Sequence, residues 1–180
     1  MTEKYNHWSK SNIIWSTLLT ILCLACFPFN LLVILGIIEP GHNSLAYWIG
    51  WVVWLVGMLL IISPMILFPK RGKVPKGKAF VHTTNLVTTG IYRVVRHPQY
   101  LGGIFAVFVT TLLLYPHWVF AVLGVIGTAV VYFGSREEDK RLLIKFGDNY
   151  KIYMKNVPGM NILLGIFRLI KRNRQEYKNG

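Results

Sequence analysis

Between Ser11 and Pro69 the chain carries no lysine or arginine, and between Gln99 and Ser135 it carries no charged residue at all. A bilayer core takes about 20 apolar residues per helical crossing, and only helices or closed barrels can cross it. Two charge-depleted blocks of this length therefore predict an all-α chain in which each block folds as a membrane hairpin. Residues 13–38 and 45–68 form the first pair of spans, joined by the Gly41-His42-Asn43-Ser44 turn. The second block divides at Pro116-His117 into spans 98–115 and 118–135. Gly102 to Tyr115 alone is short for a crossing, but extension back to the His97-Pro98 pair gives a rise of about 27 Å at ~1.5 Å per residue, close to the hydrocarbon thickness. Pro28 and Pro64 fall inside the first two spans, where proline kinks are tolerated once neighbours satisfy the freed carbonyls.

With 53% hydrophobic and 15% charged residues in 180, the chain reads as one integral membrane domain, 1–180. Lys70, Arg71, Lys73, Lys76, Lys78, Arg93 and Arg96 crowd the connection between the hairpins, and the tail after Ser135 is also basic. Both regions are expected on the cytoplasmic side, with Lys4 and Lys10 placing the N-terminus there too. The formal charge of +13 sits at membrane edges, which points to anionic lipid headgroups rather than nucleic acid. Cys23 and Cys26 lie in an apolar run without His or acid nearby, so they read as small core hydrophobes and not as a metal pair. The first apolar run is long enough to span and shows no clear cleavage site, so no cleavable signal is expected.

Residues 136–155 are expected to be one helix continuing the fourth span into the cytoplasm. Leu142, Leu143, Phe146, Tyr150, Tyr153 and Met154 recur at helical spacing as one apolar stripe. Asp139 falls near the middle of that stripe, Glu138 on its flank and Glu137 on the solvated far side. Pro158 ends the helix, and Met160 to Arg172 mixes Ile, Leu and Phe with Arg168, Lys171 and Arg172, the pattern of a helix lying in the membrane interface. The predicted architecture is a multi-pass bundle of about four spans, with a cytoplasmic helical extension and a C-terminal interfacial helix.

Polar chemistry brackets the second hairpin: Arg96-His97-Pro98-Gln99-Tyr100-Leu101-Gly102 precedes it and Glu137-Glu138-Asp139 follows it. Ionisable groups at such positions mark functional sites more often than chance. A plainer account is also available, in which His97 caps the third span, Arg96 snorkels to phosphate, and the acids pair with Lys140 and Arg141.

These runs, with Leu86-Val87-Thr88-Thr89-Gly90-Ile91-Tyr92 before them and Phe146-Gly147-Asp148-Asn149-Tyr150 after them, resemble the isoprenylcysteine carboxyl methyltransferase family and, nearly as well, the phospholipid N-methyltransferases. The resemblance covers roughly the C-terminal half of the chain. It implies S-adenosylmethionine as methyl donor, held in the cytoplasmic regions 70–100 and 136–157. Carried over by position, the cofactor contacts are Thr84, Asn85, Leu86 and Val87, then Tyr92, then His97, Pro98, Gln99 and Tyr100, and Glu138. Thr84 stands where eukaryotic members have histidine, and Gly134 stands where they have an arginine linked to substrate.

The donor combines a sulfonium, an amino-acid zwitterion and an adenosine. Glu138 suits its cationic part, backbone amides at the start of the third span suit its carboxylate, and Tyr92 and Tyr100 offer flat faces. The reaction implied is direct methyl transfer to a lipophilic acceptor from the bilayer, most like isoprenylcysteine carboxyl O-methylation, with phosphatidylethanolamine N-methylation as the alternative. A carboxylate or thiolate acceptor needs no base, whereas an amine must first lose a proton, for which His97, Glu138 and Asp139 are the nearby candidates. The scarcity of bases leans toward the former. An NADPH-dependent reductase of sterol type, which shares an Arg-His-Pro-x-Tyr-x-Gly element, and a non-catalytic adaptor are the remaining classes.

Overall fold

The computed structural model describes residues 10–39, 44–77 and 82–179. The Gly41 to Asn43 part of the first turn, Lys4 and Lys78 lie outside these residues. The described chain is helical: α1 (Lys10–Ile34), α2 (Ser44–Arg71), a 3₁₀ turn (Gly90–Arg93), α3 (Pro98–Gly103), a π-helical segment (Ile104–Val109), α4 (Thr110–Leu114), α5 (Trp118–Phe146), α6 (Asp148–Asn156) and α7 (Ile162–Asn179). Leu45–Arg71 and Trp118–Phe146 are long and apolar enough to cross a membrane, and Pro98–Leu114 is a shorter apolar helix. Large apolar side chains face outward along α1, α2 and α5, among them Leu24, Trp48, Leu59 and Val125, as expected of helices solvated by lipid rather than water.

Three predicted boundaries are corrected. The first span was expected to run to residue 38, but α1 ends at Ile34. Gly36 takes φ +67°, its N–H reaches the Val33 carbonyl at 3.1 Å, and the Ile37 N–H reaches the Leu32 carbonyl at 3.0 Å. That pair of bonds is a Schellman stop with glycine in the left-handed position, and apolar content alone runs straight through it. The helix expected over 136–155 breaks at Gly147, whose φ of +59° turns the chain between α5 and α6. The interfacial helix begins at Ile162 and runs on to Asn179, beyond the expected Arg172.

By its contacts the chain divides into two compact units. One holds the described residues up to Met58 with Gly103–Asp139, the other those of Leu59–Gly102 with Lys140–Gly180. In the first unit a buried polar network joins α1 to the π-helical segment and α4. Asn30 donates through Nδ2 to the Ala106 carbonyl at 3.4 Å and accepts through Oδ1 from the Thr111 hydroxyl at 2.9 Å. The Thr110 hydroxyl donates to the Phe105 carbonyl at 2.8 Å. These groups satisfy polar atoms where the α-helical ladder is interrupted. Gly127 lets α5 approach the Phe108 ring, which a Cβ there would strike, an interface built on a small residue. Cys26 is buried and Cys23 half-buried, both as free thiols. Thr111→Val should lower stability by about 0.6 to 1.7 kcal/mol, the range for interhelical hydrogen bonds in bilayers, read from thermal unfolding in detergent; an unchanged midpoint would show that the network is dispensable.

The second unit is centred on Tyr150, Tyr153 and Val157, with Leu86, Leu142, Leu143, Phe146 and Met154 packed on them. The expected apolar stripe thus converges, although a corner at Gly147 and not one straight helix brings its halves together.

Candidate functional site

Glycine opens the site. The Gly72 carbonyl at the end of α2 accepts the N–H groups of Thr84 at 2.8 Å and Asn85 at 3.0 Å, and the Thr84 hydroxyl donates to the Lys73 carbonyl at 2.8 Å. A Cβ on Gly72 would overlap the Thr83 side chain and lie 2.7 Å from the Phe68 carbonyl. Thr84 and Asn85 are thereby held by their backbones with exposed side chains, while Leu86 enters the core and Val87 is buried.

Tyr92 is buried in the 3₁₀ turn. Its ring stacks on Phe68 at 5.3 Å, and its carbonyl accepts the Tyr153 hydroxyl at 2.7 Å. Burial, and then the neighbouring Tyr153, push its phenol well above the ordinary range, so it stays protonated at neutral pH and serves as no base. One face of the ring expected to meet the donor is therefore taken by Phe68.

His97 is 4% exposed and its carbonyl accepts the Leu101 N–H at 3.2 Å, which makes it the capping residue with Pro98 as first residue of α3. Proline fits there because its missing N–H has no acceptor to lose. The imidazole meets Tyr100 edge-on at 5.6 Å. The amides of Arg96 and His97 are already taken, by the carbonyls of Pro158 and Gly159, each at 3.0 Å. Gln99 and Tyr100 follow as the next residues of α3, and their i−4 positions lie ahead of the helix.

Sequence reasoning missed how firmly the C-terminal segments clasp residues 92–97. Besides the bonds just named, the Arg96 guanidinium donates to the Met154 carbonyl at 3.1 Å. Arg172 donates to the Arg93 carbonyl at 2.8 Å and the Asn156 carbonyl at 3.1 Å. Gly165 lets α7 lie directly against the Val94 carbonyl, which a Cβ there would strike. These partners are backbone carbonyls, which leave no pattern in side-chain types; the one signal available was Gly165 inside an amphipathic run.

The acids stand on α5. Asp139 is buried, whereas Glu138 and Glu137 are both half-buried. The expectation that Glu137 alone is solvated is corrected: it is half-buried like its neighbour. Both, like Asp139, have interaction partners. Lys145, two residues before the corner, lies 5.1 Å from the centre of the Phe146 ring, and burial followed by the nearby Arg141 lowers its pKa. Among the described residues no His, Cys, Asp and Glu side chains gather as a metal site.

Residues 45–149, more than half of the chain, match the family model for phospholipid methyltransferases. The chain belongs to that family. It is 32% identical over 111 residues to a methanethiol S-methyltransferase of Pseudomonas deceptionensis, covering 62% of this chain and 41% of the relative. It is also 27% identical over 157 residues to a protein-S-isoprenylcysteine O-methyltransferase of Dictyostelium discoideum, covering 74% of this chain and 62% of that one. The chain spans less than half the length of the methanethiol S-methyltransferases it matches, the others at 42% and 47%. No solved structure matches it.

Proposed function

We propose that this chain is an S-adenosylmethionine-dependent membrane methyltransferase whose acceptor is a lipophilic molecule carrying a carboxylate or thiolate. The observation that carries the reading is the helix start at His97-Pro98, fixed by the Pro158 and Gly159 carbonyls inside a family match that reaches both the motif and the acids of α5. The residue set suits the donor: a carboxylate at Glu138, amides at the start of α3, apolar Leu86 and Val87, and Tyr100 half-buried beside His97. When bound, the donor supplies an electrophilic methyl on a sulfonium. By the family resemblance, Glu138 would hold its cationic part, and Thr84, Asn85, Gln99 and Tyr100 would supply further contacts. No residue has to remove a proton if the nucleophile arrives as an anion, and a dry site then favours the charge-neutralising step.

We infer four crossings, with both termini and the 70–98 connection on the cytoplasmic side, from the distribution of Lys and Arg. A cysteine probe at the exposed Lys76 should react only from the cytoplasmic side and one at Asn43 only from the other; labelling from one side would overturn the four-span arrangement.

Isoprenylcysteine carboxyl O-methylation is the first reading of the acceptor, and thiol S-methylation is the second, favoured by the names of three relatives. Gly134 bears on the choice. A Cβ there would sit 3.8 Å from Trp15, an ordinary contact, so the backbone at this position admits a side chain. Transfer of labelled methyl to prenylcysteines, phosphatidylethanolamine and short thiols should favour long-tailed acceptors, since each buried methylene adds about 0.8 kcal/mol. Farnesylcysteine analogues should react better with Gly134→Arg than with wild type. Preference for short soluble thiols would sink the lipophilic acceptor, phosphatidylethanolamine as best substrate would establish N-methylation, and binding of NADPH without S-adenosylmethionine would replace the methyltransferase reading altogether.

A further inference from the structure

Helix α7 lies beyond the family match, which ends at residue 149. Its two sides are chemically opposed. Gly165, Arg168 and Arg172 fall within one arc of the helix and are all committed inward: Gly165 to Val94, Arg168 to the Lys155 carbonyl at 3.0 Å, and Arg172 to the Arg93 and Asn156 carbonyls. At about 100° per residue, Leu163, Phe167, Ile170 and Arg174 fall on the opposite arc. Leu163 is 81% exposed, Phe167 65% and Ile170 49%. Phe167, Ile170, Lys171, Arg174 and Gln175 line a shallow groove of about 270 Å³, two apolar side chains flanked by two cations. The helix as a whole carries Arg168, Lys171, Arg172, Arg174 and Lys178 against the single acid Glu176.

We propose that the outward face of α7 docks on the anionic surface of the bilayer, with Leu163, Phe167 and Ile170 entering the headgroup boundary and Lys171 and Arg174 meeting lipid phosphate. An apolar stripe flanked by cations is what the interface stabilises, and water solvates such a stripe poorly. A protein partner would need no excess of positive charge, whereas an anionic leaflet rewards each basic residue near it. The inward arc fixes which side is presented, because the clasp on residues 93–96 uses the other arginines.

The inference rests on the membrane reading of the chain, and its test does not depend on the methyl donor. The whole protein is placed in nanodiscs of phosphatidylcholine alone or with phosphatidylglycerol, and backbone hydrogen exchange is followed over 162–179. Protection should be higher in the anionic discs and fall toward the neutral value at high salt. Lys171→Gln and Arg174→Gln should each weaken docking about fivefold, and the double variant about thirtyfold, the factor given by roughly 1 kcal/mol per basic residue. Phe167→Ser should reduce protection in both kinds of disc. Unchanged exchange over 92–97 in these variants shows that the clasp and the fold are intact. Equal protection in neutral and anionic discs would overturn the proposal, and so would full protection in neutral discs on adding inorganic phosphate, which would indicate a soluble anion. Loss of donor binding with α7 still protected would fault the enzyme reading alone.

Discussion

Glu138→Gln should weaken S-adenosylmethionine binding by about 1.5 to 3 kcal/mol, the usual worth of a hydrogen bond to an ionised group, as measured by calorimetry in detergent. The substitution keeps the shape and one acceptor oxygen, removes the charge and turns the second acceptor into a donor, so the loss reads the carboxylate's interaction with a cation. Glu137 is the internal control. It is one residue away and equally half-buried, yet it projects about 100° around α5, and Glu137→Gln should cost no more than about 0.5 kcal/mol. Asp139 is buried at 4% exposure, so Asp139→Asn is expected to act on stability, where an altered buried polar group is costly. Equal losses of affinity at 137 and 138 would remove the assignment, and a larger loss at 139 would move the donor carboxylate one position along the helix.

What was legible in the sequence followed from burial and charge, which side-chain types record directly. The two charge-depleted blocks gave the helices, and the position of Pro98 gave the start of α3 to the residue, because proline there excludes most alternatives. The apolar residues from Leu142 to Met154 gave a common core. Features set by backbone conformation were harder to read. Gly36 and Gly147 each stop a helix through a positive φ, but glycine is also common inside membrane helices, so its presence did not announce a stop. The π-helical segment at Ile104–Val109 has an unremarkable apolar sequence, and its nearest signal was Asn30, an amide within an apolar run whose partners lie on α4 and the segment before it. The clasp on residues 92–97 was invisible for a related reason: Arg172 looks like one more basic residue of a tail until its two carbonyl acceptors are seen.

That clasp makes Gly165 a sensitive position outside the proposed donor site. Alanine in place of a helical glycine ordinarily gains about 1 kcal/mol through helix propensity. Here the added Cβ would strike the Val94 carbonyl, and a backbone oxygen cannot rotate away as a side chain would. Helix α7 must then lift from the 93–96 segment, which also strains the Arg172 bonds to Arg93 and Asn156. Overpacking of this kind costs about 1 to 3 kcal/mol, and with the arginine bonds lost as well the packing penalty should outweigh the propensity gain. Gly165→Ala is therefore expected to be destabilised by about 2 kcal/mol net in thermal unfolding and to bind S-adenosylmethionine more weakly, since the His97-Pro98 helix start hangs from the same segment. Gly159→Ala provides the contrast. It is also next to the motif, but its Cβ would lie 3.5 Å from Arg96 Nη2 and 3.8 Å from His97 Cδ2, and its carbonyl would still accept from His97. That variant should stay within about 0.5 kcal/mol of wild type. A Gly165→Ala protein as stable as wild type would mean that α7 does not rest on Val94, and an affinity loss without any loss of stability would mean that α7 acts on the donor by a route other than the clasp.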